Sequence, residues 1–262
     1  LYPAISCGCF YDIHENCFLA PLLLWMFYFF EAEKYLPMYI TALGVLSVKE
    51  DAAVYVFFFA LYVIFARQKV RHGALLALGS LCYFGIALYI LTNYGDGAMI
   101  NRFNNLIFKP EDGLLGAVKT ALFNPGFLLT QLFSTSSATW EKVVYILQMF
   151  LPLCFLPFCS KKPSRWLLLA PMLMNLVTMY IYQYNINFQY NFGVSAFLIY
   201  AMMVNLPELS RPVRKNMVAL GAAACLLMYT VYVMPYYNTY TERWESGKET
   251  YEQMEAILDT IP

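Results

Sequence analysis

Apolar stretches recur along the chain at about residues 17–30, 37–48, 52–66, 73–92, 143–159, 166–182, 193–206 and 216–234, separated by polar or charged breaks. They read as membrane-embedded helix, which predicts an all-α, polytopic transmembrane bundle of about eight membrane segments. Crossing the hydrocarbon core takes about 20 helical residues, so several stretches are short and call for tilting, local thinning or polar ends buried in protein. The stretch Pro37 to Val48 spans about 18 Å as a helix against a core of about 30 Å, which places Lys49-Glu50-Asp51 below the membrane surface, with Lys49 able to neutralise one of its acidic neighbours. A single helix from Met38 to Ala66 is the competing reading of this region.

Basic clusters set the orientation. Arg67, Lys69 and Arg71 follow the third stretch, Lys161, Lys162 and Arg165 the fifth, and Arg211, Arg214 and Lys215 the seventh, so the positive-inside rule puts all three on the cytoplasmic side. The same count sends His14-Glu15, Lys49-Glu50-Asp51, the segment from Asn93 to Lys142, the segment from Gln183 to Asn191 and the C-terminal tail to the external face. Within 93–142, Leu114, Leu115, Val118, Ala121 and Leu122 share a helical face opposite Lys119, Asn124-Pro125-Gly126 ends that helix, and 127–133 is apolar again. One or two helices lying in the interface plane are expected there, as a lid over a lipid-facing cavity or as a structural plug. Tyr229, Tyr232, Tyr236, Tyr237 and Tyr240 form an aromatic belt, and the charged residues from Glu242 to Asp259 predict a solvated helix. The domain reading is a bundle over 1–240 and the start of an external helix or domain over 241–262. The chain opens at Leu1 without a signal-type segment and is expected to be a piece of a longer protein.

Composition fits this setting. Apolar residues make up 60% of the chain, aromatics 18% and charges 13%, with a mean hydropathy of +0.53; a soluble domain carries roughly 25% charge. Net charge is zero and the basic residues are scattered, so no nucleic-acid footprint is present. The lipid bilayer is the first partner implied. Seven cysteines show no paired C-x-x-C spacing, and only Cys7, Cys9 and Cys17 cluster where a disulfide or zinc site is conceivable. With His14 and His72 as the two histidines, a multi-histidine metal centre is excluded, and no phosphate-binding glycine loop, nucleophile elbow or zinc helix is found.

Charge inside such a chain is costly, at least about 2.5 to 3.5 kcal/mol per group unless paired or wetted, and it marks the candidate site. A helical start at Asp12 puts Asp12 and Glu15 on one face with His14 turned roughly 160° from Asp12. An imidazole beside carboxylates can shuttle protons, bind metal or hold a phosphate; alternatively, Asp12 and Asn16 only cap the helix from Cys17. Lys49-Glu50-Asp51 is either a cavity wall or a turn whose acids favour the next helix's dipole. The amides and tyrosines of 183–191 suit a hydroxyl-rich ligand or an interface belt.

Tyr11-Asp12-Ile13-His14-Glu15 followed by an apolar aromatic helix, then Val48-Lys49-Glu50-Asp51-Ala52, Asn101-Arg102-Phe103, Phe188-Gln189-Tyr190 and Met254-Glu255-Ala256-Ile257-Leu258, resembles the bacterial predicted membrane proteins known as domain of unknown function two-zero-seven-nine. That family is similar to the GT-C superfamily of polytopic glycosyltransferases, which take sugars from polyprenyl-phosphate carriers on the external side. His14, Glu15, Lys49, Glu50, Asp51 and Tyr190 transfer by position; Gln189 stands where the family often has histidine. The resemblance implies a GT-C-like fold whose first external loop, with a catalytic acid, lies upstream. It implies a multi-pass protein of the bacterial plasma membrane with an external active face, a polyprenyl-phosphate sugar donor and an envelope glycan or protein acceptor. On this reading the catalytic candidates are His14, Glu15, Glu50 and Asp51, and the substrate-binding candidates are Asp12, Lys49, Arg102, Gln189 and Tyr190. Glu15, or Glu50 with Asp51, deprotonates the acceptor hydroxyl, while His14, Lys49 and Arg102 hold the departing phosphate. No cofactor is required, and a divalent metal held by the acids is left open. The rival readings are a transporter or flippase and a non-catalytic scaffold.

Overall fold

Helices begin and end where the sequence supplies a turn. The computed structural model describes residues 2–10, 14–94, 100–133 and 139–260, and among these the fold is all-α without strands. The first helices are α1 (Pro3–Gly8), α2 (Leu19–Glu31), α3 (Tyr35–Leu46), α4 (Ala52–Phe65) and α5 (Val70–Tyr94). The α2–α3 turn is made by Glu33 and the α4–α5 turn by Gln68, both in the left-handed region at φ 53° and 56°, a conformation that stops a helix abruptly. α3 stops at Leu46 and α4 starts at Ala52, so the alternative of one helix from Met38 to Ala66 does not hold.

Beyond α5 come α6 (Gly113–Phe123), α7 (Pro125–Phe133), α8 (Thr139–Phe150), α9 (Ala170–Val177), α10 (Phe192–Asn205), α11 (Arg211–Met228) and α12 (Met234–Leu258). The apolar stretches 143–159 and 166–182 are not single helices. After α8 the chain runs through 3-10 turns at Leu151–Leu153, Leu156–Phe158 and Pro163–Leu169, with Cys154 and Phe155 left-handed between the first two. Pro152, Pro157 and Pro163 explain this, because proline removes an amide donor and clashes with the preceding turn.

Among the described residues two helices are long and apolar enough to cross a membrane, Val70–Leu91 and Arg211–Thr239. Tyr35–Leu46 and Ala52–Phe65 are apolar but shorter. The second long helix passes from α11 through a π-helical turn at Tyr229–Val233 into α12, which is exposed over most of residues 245–258. Leu78, Leu81 and Ile86 on α5 and Leu220, Leu226 and Leu227 on α11 are each more than half exposed. Outward apolar faces of this extent are what lipid covers.

The core lies between α2, α4 and α10. Phe27 stacks on Tyr200 at 4.5 Å and meets Phe59 at 4.8 Å and Phe197 at 5.1 Å, which locks the three helices side by side. At one end of this trio Glu31 accepts from Arg67 and Tyr200, Lys69 pairs with Glu33 at 3.0 Å, and Arg165 pairs with Glu208 at 2.8 Å. The opposite end, where α2, α4 and α10 begin, holds the candidate site.

Candidate functional site

Three breaks in the helical pattern meet at this end. The 3-10 turn Glu15–Phe18 leads into α2, the turn 47–51 leads into α4, and the segment 178–191 leads into α10. Lys49 reaches across from the second break to the first, with Nζ 2.8 Å from Oε1 of Glu15, and His14 Nδ1 lies 3.7 Å from the other carboxylate oxygen. The Lys49 hydrogen bond holds the Glu15 carboxyl below its usual range. Lys49 therefore neutralises Glu15 and not Glu50 or Asp51 beside it, which corrects the expectation from sequence neighbourhood. Adjacent residues of a turn point apart, whereas the α2–α3 hairpin brings residues far apart in sequence face to face.

Asp51 stands at the N-cap position of α4, yet its side chain makes no cap hydrogen bond, and its Oδ1 is buried without a partner. Burial, reinforced by the Glu50 carboxylate, pushes its carboxyl up to about 6, and Lys49 and Arg102 offset this only in part. Arg102 arrives from the turn Ile100–Leu106, whose carbonyl at Arg102 accepts from Thr178 Oγ1 at 2.6 Å. Its guanidinium lies between the rings of Tyr180 and Tyr190, 4.8 and 4.6 Å from their centroids, and Nη2 donates to the Tyr190 hydroxyl at 3.0 Å. Among the described residues Arg102 makes no ion pair, so its charge is positioned by aromatic faces and left available to an anion. Burial pushes the Tyr190 hydroxyl up to about 12, further from ionisation than an ordinary tyrosine.

A buried amide network fixes the segment 178–191. Asn175 Nδ2 donates to the Tyr145 hydroxyl at 3.0 Å and to the Tyr190 carbonyl at 3.2 Å, Tyr145 donates to Asn191 Oδ1 at 2.8 Å, and Asn191 Nδ2 donates to the carbonyls of Asn185 and Phe188. These amides are internal rather than an interface belt, and several are spent on structure. Replacing Tyr145 with phenylalanine leaves Asn191 Oδ1 without its donor. A stability loss of about 1 to 3 kcal/mol is expected, measured by thermal unfolding in detergent.

Two spaces open beside Asp51. The larger is a cavity of about 380 Å³ with Glu50, Asp51, Arg102 and Gln183 among walls formed otherwise by apolar side chains, including Phe58, Phe84 and Leu106. The second is a polar chamber of about 10 Å³ lined by Asn16, Asp51, Tyr55, Asn175, Gln183 and Gln189 among others. The cavity roof is α6 and α7, through Leu114, Ala117, Val118, Ala121 and Leu128. The single apolar face expected for α6 is in fact divided. Gly116, Ala117 and Thr120 are buried, with Thr120 Oγ1 bonded to the Leu106 carbonyl at 2.7 Å, while Leu115 and Leu122 face outward at 64% and 70% exposure. Small residues seat the helix, and the leucines are left for an apolar surrounding.

Of the residues singled out from sequence, His14, Glu15 and Lys49 form one ion-paired group, Glu50, Asp51 and Arg102 line the cavity, Gln189 lines the chamber and Tyr190 lines the chamber while holding Arg102. Asp12 lies outside the described residues. Asn16 is not a cap; it is buried and its Oδ1 has no partner. Gln183, Asn175, Tyr55 and Tyr180 are site residues that sequence reasoning did not single out individually; burial of polar groups within an apolar segment was the only available signal. The cysteines are free, and among the described residues no three His, Cys, Asp or Glu side chains are grouped to hold a metal.

Over residues 1–254 the chain matches the family described as "Predicted membrane protein (DUF2079)", and it belongs to that family. Neither the curated proteins nor the solved structures compared with it give a match.

Proposed function

We propose that this member of the predicted membrane protein family is a GT-C-like glycosyltransferase, moving a sugar from a polyprenyl-phosphate carrier to an envelope glycan or protein acceptor at the external face of the bacterial plasma membrane. One observation carries the reading: an apolar cavity roofed by α6 and α7 ends at a buried carboxyl and an aromatic-clamped arginine. An isoprenoid tail suits the apolar walls, and its phosphate suits Arg102, with Lys49 and His14 nearby.

In the transfer step the acceptor oxygen bonds to the anomeric carbon, the bond from that carbon to the phosphate oxygen breaks, and the hydroxyl proton passes to Asp51. A carboxyl raised to about 6 is better matched to this than one held low by a lysine. Asp51 is thus the base, and Glu15 positions Lys49. The bundle before residue 241 is the catalytic part on this reading, and the remainder of α12, up to Leu258, is external.

The test is transfer by the protein in liposomes supplied with a panel of radiolabelled polyprenyl-phosphate sugars. Carrier-dependent release is expected from wild type, with Glu15→Gln reducing it by no more than about tenfold, in keeping with the small energy of an exposed pair. No turnover with any donor from folded protein would overturn the reading in favour of a transporter or scaffold. For orientation, a cysteine at exposed Lys109, in a background lacking the native cysteines, should react with an impermeant thiol reagent from outside. Labelling only after membrane disruption would reverse the topology.

A further inference from the structure

The chamber beside Asp51 has a composition that the transfer step does not use. Its volume of about 10 Å³ suits a single water-sized particle. Asn16, Gln183 and Gln189 line it at 2%, 3% and 5% exposure. Oδ1 of Asn16, Oε1 of Gln183, Oε1 of Gln189 and Oδ1 of Asp51 are all buried without a hydrogen-bond donor among the described residues. Each such acceptor destabilises the fold when left unsatisfied. Four at one small space, drawn from three separate chain segments, call for a shared source of positive charge.

A single water has two hydrogens and serves two of these oxygens. A cation serves all four together. Three neutral amides and one carboxylate carry a formal charge of −1, which a monovalent ion cancels and a divalent ion overshoots in a buried place. The oxygens are hard ligands; the sulfur in the lining is the thioether of Met174, a soft donor that suits neither an alkali nor an alkaline-earth ion, and no thiolate or imidazole lines the chamber.

We infer that this chamber binds a monovalent alkali cation, held by Asn16, Asp51, Gln183 and Gln189. The ion ties the turn before α2, the turn before α4 and the segment before α10 to one point. Because Asp51 also lines the substrate cavity, the ion fixes the orientation of its carboxylate. The inference does not depend on the transfer reading.

The experiment is the thermal unfolding midpoint of the full chain in detergent micelles, followed by intrinsic fluorescence in sodium, potassium or choline chloride at constant ionic strength. Sodium or potassium should raise the midpoint saturably by about 3 °C or more over choline. Asn16→Leu and Gln189→Met, which keep side-chain volume and remove one oxygen ligand each, should fold and lose at least half of that rise. Equal midpoints in the three salts, a rise undiminished in both variants, or the same rise from micromolar calcium in choline would overturn the assignment. The readout contains no sugar transfer, so it fails or succeeds separately from the liposome assay.

Discussion

Asp51→Asn is expected to cut transfer by about 10²- to 10⁴-fold while making the protein more stable at neutral pH in choline buffer. The stability half follows from linkage. An exposed aspartate in the unfolded chain titrates near about 3.9, whereas burial beside Glu50 raises Asp51 in the folded protein to about 6. Below both values the carboxyl is protonated in either state and contributes nothing to the difference. As pH rises through this window the unfolded chain releases the proton first, so the folded state loses stability, and above about 6 the loss is complete. A separation of about two pKa units corresponds to about 2 to 3 kcal/mol. Asparagine keeps a similar shape without the charge. In choline buffer its thermal midpoint should come nearest that of wild type below about pH 3, under both carboxyl values, and exceed it at pH 7 to 8. Transfer should fall by about 10²- to 10⁴-fold, the range for loss of a general base. Equal midpoints across pH, or transfer retained, would count against the raised carboxyl or its role respectively. A residue that costs stability where it stands is the pattern expected of a working site.

Much of this site was legible because charge is conspicuous in an apolar chain. His14-Glu15 and Lys49-Glu50-Asp51 stand at the ends of apolar stretches, and the α2–α3 hairpin delivers one cluster to the other, so Lys49 meets Glu15. Arg102 was visible for the same reason, although its aromatic clamp required Tyr180 and Tyr190 to return from far along the chain. The amides were harder. Asn16 before an apolar run reads as a cap, and Gln183 reads as one of a run of amides for a hydroxyl-rich ligand or an interface belt, because sequence does not show whether a polar group faces solvent or a buried chamber. Hydropathy also overcounted continuous helix. It registers Pro152, Pro157 and Pro163 only weakly, whereas the backbone loses donors there and turns through Cys154 and Phe155. The α6 helix was found from its spacing, but its seat on Gly116, Ala117 and Thr120 depends on Ile107 and Leu106, whose position periodicity does not give.

Gly193→Ala should be strongly destabilising although it adds a single methyl to the core. A Cβ at this position of α10 would stand 2.4 Å from Cζ of Tyr55 and 2.6 and 2.7 Å from its two ε carbons. Tyr55 belongs to α4, is 3% exposed and lies 6.0 Å from the Phe197 ring centroid, so the ring has little room to retreat. Alanine in place of glycine gains up to about 1 kcal/mol of helix propensity, and overpacking of a core costs about 1 to 3 kcal/mol or more. With contacts this short the upper end applies, and the net loss should be at least about 2 kcal/mol. The direction of relief also matters: Tyr55 lines the polar chamber, so a displaced ring moves against Asp51 and Gln189 and disturbs the site along with the packing. A smaller partner should restore what the methyl removes. Tyr55→Leu alone leaves a cavity and destabilises, but combined with Gly193→Ala the loss should be less than the sum by at least about 1 kcal/mol, a coupling read from thermal unfolding of the four proteins. Strict additivity would mean that α4 and α10 separate freely at this crossing and that the glycine is not what sets their approach.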